Sequence, residues 1–528
     1  MIKKMTLTAT HWCAAACVLG TMICGITKAT EMAPSEPKLG INLAGPEDWG
    51  TELPFVDVFK FSRLWITQKP GVPWGKGPKL DLDEHGWVKR LAPGCFAETT
   101  MLTGLQGHYP SGRYTILYEG KGRIEIRNGH QVITQSPGRM VVKVNSKDDN
   151  IWLRILETDP TNYIRNIHVI MPGFEKTYQE NPWHPDFLKR WRGFACLRFM
   201  DFMKTNNSQI IRWQDRPKLS DASWAVGRGI PLEMLCDLAN RLDANPWLCM
   251  PHQADDDYIR QFATMAKQLL KPELKMYVEY SNEVWNGGFQ QNHYAAQQGI
   301  KLGFAKKKVP WLAAWKFTGH RSKQIFAIWE DVFGGTDQLI RVLASQAVVP
   351  YVSKQILLQE DVYQHADALA IGPYMYISHT DQKGADAVAA SGVKGVLDEL
   401  ENKGLPKAID VMRKQKAVAD MYGLKLVSYE SGQHLVGVGN GANNKALTKV
   451  LIAANTHPRM GDLYRKYYAA WSEIGGDMIA AFSSVSKSSK WGSWGLMQFY
   501  DEDPVSQPKM KETLKQAKAW KQNVYGLH

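Results

Sequence analysis

Cysteine is scarce in this chain, with seven among 528 residues. Cys13, Cys17 and Cys24 fall in the first 29 residues, which leaves Cys95, Cys196, Cys236 and Cys249 for the rest. So few thiols at this length exclude a disulfide scaffold. Cys196 and Cys249 lie in apolar, strand-like segments, and the pattern favours buried unpaired thiols over a bridge between them. Clustered Cys and His at metal-binding spacing are absent too, so no metal and no other catalytic cofactor is expected. A Gly-x-Ser-x-Gly nucleophile elbow is missing, which removes the signature of an α/β esterase. No basic stretch interleaved with aromatics marks a nucleic-acid surface. After residue 29 nothing approaches the roughly 18 uninterrupted apolar residues of a membrane span. Internal repeats and low-complexity linkers do not occur.

What is present begins with the N-terminus. Lys3 and Lys4 precede an apolar run through Cys13 to Ile26, and Thr27-Lys28-Ala29 supplies small residues at cleavage positions. Residues 1–29 therefore read as a secretory signal peptide, and the mature chain as secreted or periplasmic with no integral membrane segment left after cleavage. Ile23, before Cys24, is not the small residue that a lipidated cysteine requires. The chain carries 64 basic against 52 acidic residues. That balance suits an acidic polysaccharide or an anionic envelope, although basic residues dispersed in this way more ordinarily serve solvation.

With 44% hydrophobic and 22% charged residues the chain is globular, and 528 residues exceed one typical domain. Strand and helix signals alternate, which argues for α/β architecture with a parallel sheet. Eight strands are expected: Leu39 to Leu43, Phe194 to Phe199, Trp247 to Met250, Met276 to Glu283, Leu339 to Leu343, Ala368 to Ile371, Leu424 to Glu430 and Met478 to Phe482. Asp255-Asp256-Asp257 reads as a helix cap rather than a metal site, since Ile259, Phe262, Ala266 and Leu269 follow on one face. The gap between strands one and two is too long for a βα connection. Arg113 to Tyr118, Gly122 to Ile126, Gln131 to Ile133, Arg139 to Val144 and Ile151 to Ile155 alternate apolar and polar residues there, and Asn128-Gly129 reads as a hairpin turn. Residues 65–175 are thus expected to form a β-sandwich-like subdomain inserted into an α/β domain of residues 38–64 and 176–520. It would serve as a wall of the substrate cleft or as a carbohydrate-binding module.

Asn282-Glu283, in Val278-Glu279-Tyr280-Ser281-Asn282-Glu283-Val284-Trp285-Asn286, is the only Asn-Glu in the sequence and closes an apolar strand. Leu424 to Gly432 repeats the arrangement, ending on Glu430 beside Tyr429. A single glutamate after a strand is usually a solvated loop residue. Two whose strands share one parallel barrel would converge on the same face, and paired carboxylates are the apparatus of glycoside hydrolysis. Nineteen tryptophans supply flat faces suited to sugar rings. Trp285, Trp491 and Trp494 are nominated as platforms, and His252 as a substrate hydrogen-bonder rather than a metal ligand.

Two strands ending in Glu, the first in Asn-Glu, resemble the clan A glycoside hydrolases, which include cellulases, mannanases and many β-glycosidases. The resemblance covers about residues 38 to 520. It implies a (β/α)8 TIM barrel and retention of configuration, with the carboxyl groups about 5 Å apart. Carried over position by position, Glu283 is the general acid/base and Glu430 the nucleophile. Arg198 on the second strand and Tyr374 after the sixth support Glu430, and Asn282 meets the sugar 2-hydroxyl. The implied function is an exported hydrolase of a β-linked polysaccharide or oligosaccharide, β-1,4-glucan and mannan being the candidates. Tyr280 to Gly288 also resembles sequences described as cellulose-binding proteins, and a non-catalytic carbohydrate-binding protein on a degenerate barrel is the alternative.

Overall fold

A computed structural model describes residues 36–378 and 381–526. The expected signal peptide, residues 1–29, lies outside the described residues. Eight parallel strands close into a barrel in chain order: Lys38–Asn42, Cys196–Arg198, Asn245–Met250, Met276–Tyr280, Leu339–Ala344, Ala368–Ile371, Lys425–Ser428 and Met478–Ala481. All eight expected strands are present; the second, fourth and seventh are each three residues shorter than expected, and the bounds of the others differ by at most two residues. Helices separate them, among them Leu232–Leu242, Asp256–Leu269, Pro310–Phe333 and Leu405–Met421. The fold is a (β/α)8 barrel. Asp255 caps Asp256–Leu269 by accepting the Tyr258 backbone N–H at 2.8 Å.

Because successive side chains of a strand point to opposite faces, each barrel strand writes two lists. Ile41, Leu197, Leu248, Val278, Leu343 and Leu426 face outward into one continuous core beneath the helices. Cys196, Trp247, Cys249, Tyr277, Val342, Ala368, Ala370, Val427 and Met478 fill the barrel interior. Cys95, Cys196, Cys236 and Cys249 are all buried and unpaired. Burial first, and then the charges of Glu233 and Asp237, push the Cys236 thiol up to about 12.

Between the first and second barrel strands the chain builds two four-stranded antiparallel sheets. One orders Ile66–Gln68, Phe96–Met101, Ile151–Thr158 and Gly122–Arg127; the other Arg165–Ile170, Gly112–Glu119, Arg139–Val144 and Gln131–Ser136. Asn128-Gly129 does not make the expected hairpin. Both residues take positive φ, 73° and 74°, but the strands on either side belong to different sheets, so the turn crosses between layers. The Asn128 side chain is spent on Asn150 instead. The hairpin of this region closes at Gly138, where Gln131–Ser136 meets Arg139–Val144. Tyr114, Ile116, Val142 and Leu153 of the sheets join the same buried cluster as Leu39 and Ile41 of the barrel.

Candidate active site

The C-terminal mouth of the barrel is built from the same inward-facing registers as its packed interior. Arg198 lies two residues beyond Cys196, Glu279 two beyond Tyr277, and Asn42 two beyond Gly40, so all three point inward. Arg198 is fully buried. Its Nε and Nη2 donate to Glu279 Oε2 at 3.3 and 3.0 Å, and its Nη1 donates to Asn42 Oδ1 at 3.1 Å and Glu430 Oε1 at 3.0 Å. Its Nη2 also reaches Asn282 Oδ1 at 2.8 Å. One guanidinium thus ties together the ends of strands one, two, four and seven. Its planar fork of donors suits that task where an ammonium would not.

Glu430 stands just past the seventh strand with its carboxylate held at both oxygens. Arg198 occupies Oε1, and the Tyr374 hydroxyl donates to Oε2 at 2.8 Å. Glu283 has a different shell. The Tyr429 hydroxyl donates to its Oε1 at 3.1 Å and the Asn286 amide to its Oε2 at 3.0 Å, with no cation in direct contact among the described residues. Burial first, and then the charge of Glu430, push the Glu283 carboxyl from 4.5 to about 7; the Asn286 and Tyr429 hydrogen bonds oppose the rise. Ser281 and Glu283 both adopt left-handed backbone, φ 58° and 43°. Such conformations disfavour side chains other than Gly, Asn and Asp, and gather at sites where geometry is set by function. They end the fourth strand at Tyr280, three residues before the expected Glu283.

Asn282 is drawn into the network: its Oδ1 accepts from Arg198, and its Nδ2 donates to Asn206 Oδ1 at 3.1 Å. Trp494 packs edge-on against Tyr374, His434 and Phe482, with ring centroids 5.9, 5.0 and 5.6 Å apart. Trp491, 70% exposed, and Trp494 line a cleft of about 700 Å³. Thr103 and Gly104 of the β-rich insertion form part of that cleft's wall. Trp285 is half-buried against the core. His252 stands apart. It is buried, its ring meets Tyr294 edge-on at 5.4 Å, its Nδ1 has no partner among the described residues, and burial lowers it to about 4. No described hydrogen bond of its ring reaches either glutamate.

The sequence reading missed Glu279, Asn42, Tyr429 and Asn206. Glu279 is the telling omission. Fully buried, it takes two bonds from Arg198 and one from Trp247 Nε1 at 2.8 Å, while its Oε1 meets no donor among the described residues. Burial raises its carboxyl, and Arg198 opposes that rise. The signal was available: an acid inside the otherwise apolar Met276–Tyr280, on the parity that faces inward.

No protein-family model matches the sequence, and no curated protein does. Solved structures overlay on it. One is a 4-O-α-L-rhamnosyl-β-D-glucuronidase from Fusarium oxysporum, 9% identical, with 62% of this chain and 62% of that chain covered at a TM-score of 0.37. A GH5-4 broad-specificity endoglucanase from Clostridium acetobutylicum is 10% identical over 61% of this chain and 86% of its own, at 0.33. A modular endo-β-1,4-mannanase of glycoside hydrolase family 26 from Cellulomonas fimi is 10% identical over 60% of this chain and 62% of its own, at 0.32. The chain therefore spans less than two thirds of the Fusarium and Cellulomonas proteins. The endoglucanase and the mannanase are clan A glycoside hydrolases; at these identities and scores the likeness is one of barrel fold and carries no argument about chemistry.

Proposed function

We propose that the protein is an exported retaining glycoside hydrolase acting on a β-linked polysaccharide or oligosaccharide, with β-1,4-glucan and mannan the first substrates to try. The observation that carries this reading is the unequal pair of glutamates. Glu430 is bonded to a buried guanidinium and a phenol, whereas Glu283 has only neutral donors among the described residues and a carboxyl raised to about 7. Two carboxyl groups whose surroundings differ in this way are what an acid and a nucleophile need at neutral pH.

In the first step Glu430 attacks the anomeric carbon and the bond to the leaving oxygen breaks, with the Glu283 proton going to that oxygen. In the second, Glu283, now a carboxylate, takes a proton from water; the hydroxide adds to the anomeric carbon and Glu430 departs. Arg198 and Tyr374 aim the Glu430 carboxylate. The second Asn282 amide proton, the first being held by Asn206, serves the sugar 2-hydroxyl. Trp491 and Trp494 are platforms for the chain in the cleft. Digestion of a glycan panel, with products and anomeric configuration read by NMR, tests the reading. Release of β-configured product from a β-linked glycan supports it. Binding without turnover across the panel favours instead the carbohydrate-binding protein on a degenerate barrel.

A further inference from the structure

Two concavities of opposite character flank the glutamates. The cleft of about 700 Å³ runs between the loops after strands one, two and eight, and is lined by Glu47, Asp201, Lys204 and Lys487 together with the exposed Trp49 and Trp491. A cavity of about 310 Å³ lies between the loops after strands five, six and seven. Its walls are Ala347, Val348, Tyr376, Ile377, Val436 and Val438, and among the described residues no carboxylate, lysine or arginine lines it. Val348 and Val438, 49% and 40% exposed, stand at its mouth as uncovered apolar surface. The two lobes meet over Glu430: Trp494 borders the polar lobe, Tyr374 borders the apolar one, and their rings are 5.9 Å apart.

Resting on the acid/base role of Glu283, the geometry assigns the apolar lobe to the leaving group. The hydroxyl of Tyr429 that donates to Glu283 also lies 3.5 Å from the Ser345 carbonyl, two residues before Ala347 in the apolar wall. The Tyr429 ring also lies against Gly372 of the cavity lining, so the donor of Glu283 borders this cavity, and a group that departs on that side occupies it while the retained sugar chain lies in the polar cleft. Tyr374, Tyr376, Ser378 and His434 are the polar side chains of the lining, and the rest of the wall is apolar. An alkyl or aryl aglycone matches it, since the free energy of filling such a space comes from apolar area removed from water. We propose that the protein also hydrolyses β-glycosides whose leaving group is an apolar alkyl or aryl aglycone, which this cavity selects.

Methyl and octyl β-cellobiosides, and the matching β-mannobiosides, test this, because the two alkyl leaving oxygens have nearly equal basicity and differ only in the chain that the cavity would hold. The expected result is kcat/KM at least ~10-fold higher for the octyl compound, below its micelle-forming concentration. Val348→Asp and Val438→Asp, at the exposed mouth, should reduce that preference toward unity, read as the ratio of octyl to methyl kcat/KM in each variant. Equal rates for methyl and octyl compounds in the wild type overturn the inference and leave the hydrolase reading standing. A folded protein that turns over neither these glycosides nor any glycan overturns both. An octyl preference that survives both aspartate substitutions overturns the assignment of this cavity.

Discussion

The two ends of the barrel interior use the same strands and opposite chemistry. Toward the N-terminal end Gly40, Cys196, Tyr277 and Met478 pack without polar partners among them, so tightly that a Cβ at Gly40 would lie 2.9 Å from Met478 Sδ and 3.1 Å from Cys196 Cβ. Two residues further along, in the next layer of the same registers, stand Asn42, Arg198 and Glu279, with Tyr429 and Glu430 above them. The packed end is governed chiefly by shape, because its neighbours are mostly apolar and the strands fix the spacing. The mouth concentrates charge because its hydrogen bonds are completed by residues of several strand ends converging there. A barrel separates stability from chemistry along its axis, and substitutions at the two ends should fail in different ways.

The largest expected effect is at the mouth. Glu430→Ala removes the covalent route and should lower turnover of the natural substrate by at least about 10⁴-fold with little change in folding. Glu283→Ala should cost about 10² to 10⁴-fold on the natural glycan yet spare aryl glycosides with good leaving groups, since these need little protonation; parallel kcat/KM measurements on the two substrate types check it. Arg198→Met leaves Glu279 and Glu430 without their cation and should destabilise the fold by about 3–5 kcal/mol in urea denaturation. A loss below about 1 kcal/mol would show that the Arg198 network is not what holds the mouth together.

Smaller effects sharpen the contrast. The folded Glu283 carboxyl is raised from 4.5 to about 7, so the native state binds the extra proton between those values. Its penalty on folding is absent below the unfolded value and fully present above about pH 7. Glu283→Gln should therefore stabilise the protein by about 1–3 kcal/mol at pH 8 and by almost nothing at pH 4, as melting temperatures at the two pH values will read. Activity should fall on the alkaline side near pH 7, where the acid loses its proton. At the packed end Met478→Leu conserves volume and should cost less than about 1.5 kcal/mol without altering kcat.

Much of this contrast was legible in the chain. The eight barrel strands announce themselves through short apolar runs, and Glu283 and Glu430 through their place at strand ends. Arg198 and Tyr374 came from the clan A resemblance, and the structure brings both onto Glu430. The tertiary partners were not legible. Glu279 looked like one more strand residue until parity and the position of Arg198 gave it a role, and Asn42 is paired across the barrel with Arg198 and the Tyr429 carbonyl. Asn128-Gly129 has turn chemistry, but local chemistry does not decide which sheet the next strand joins. His252 sits at a strand end like the others, yet its ring is turned into packing against Tyr294, which strand position alone does not reveal.

The division of labour between the two glutamates is the central claim, and azide tests it most directly. Glu283→Ala supplied with azide and a β-aryl glycoside should accumulate the β-glycosyl azide, because azide attacks the glycosyl-enzyme formed on Glu430 and needs no general base. Glu430→Ala under the same conditions should form none of that β-product. A β-glycosyl azide from Glu430→Ala, or an α-glycosyl azide from Glu283→Ala, would contradict the assignment.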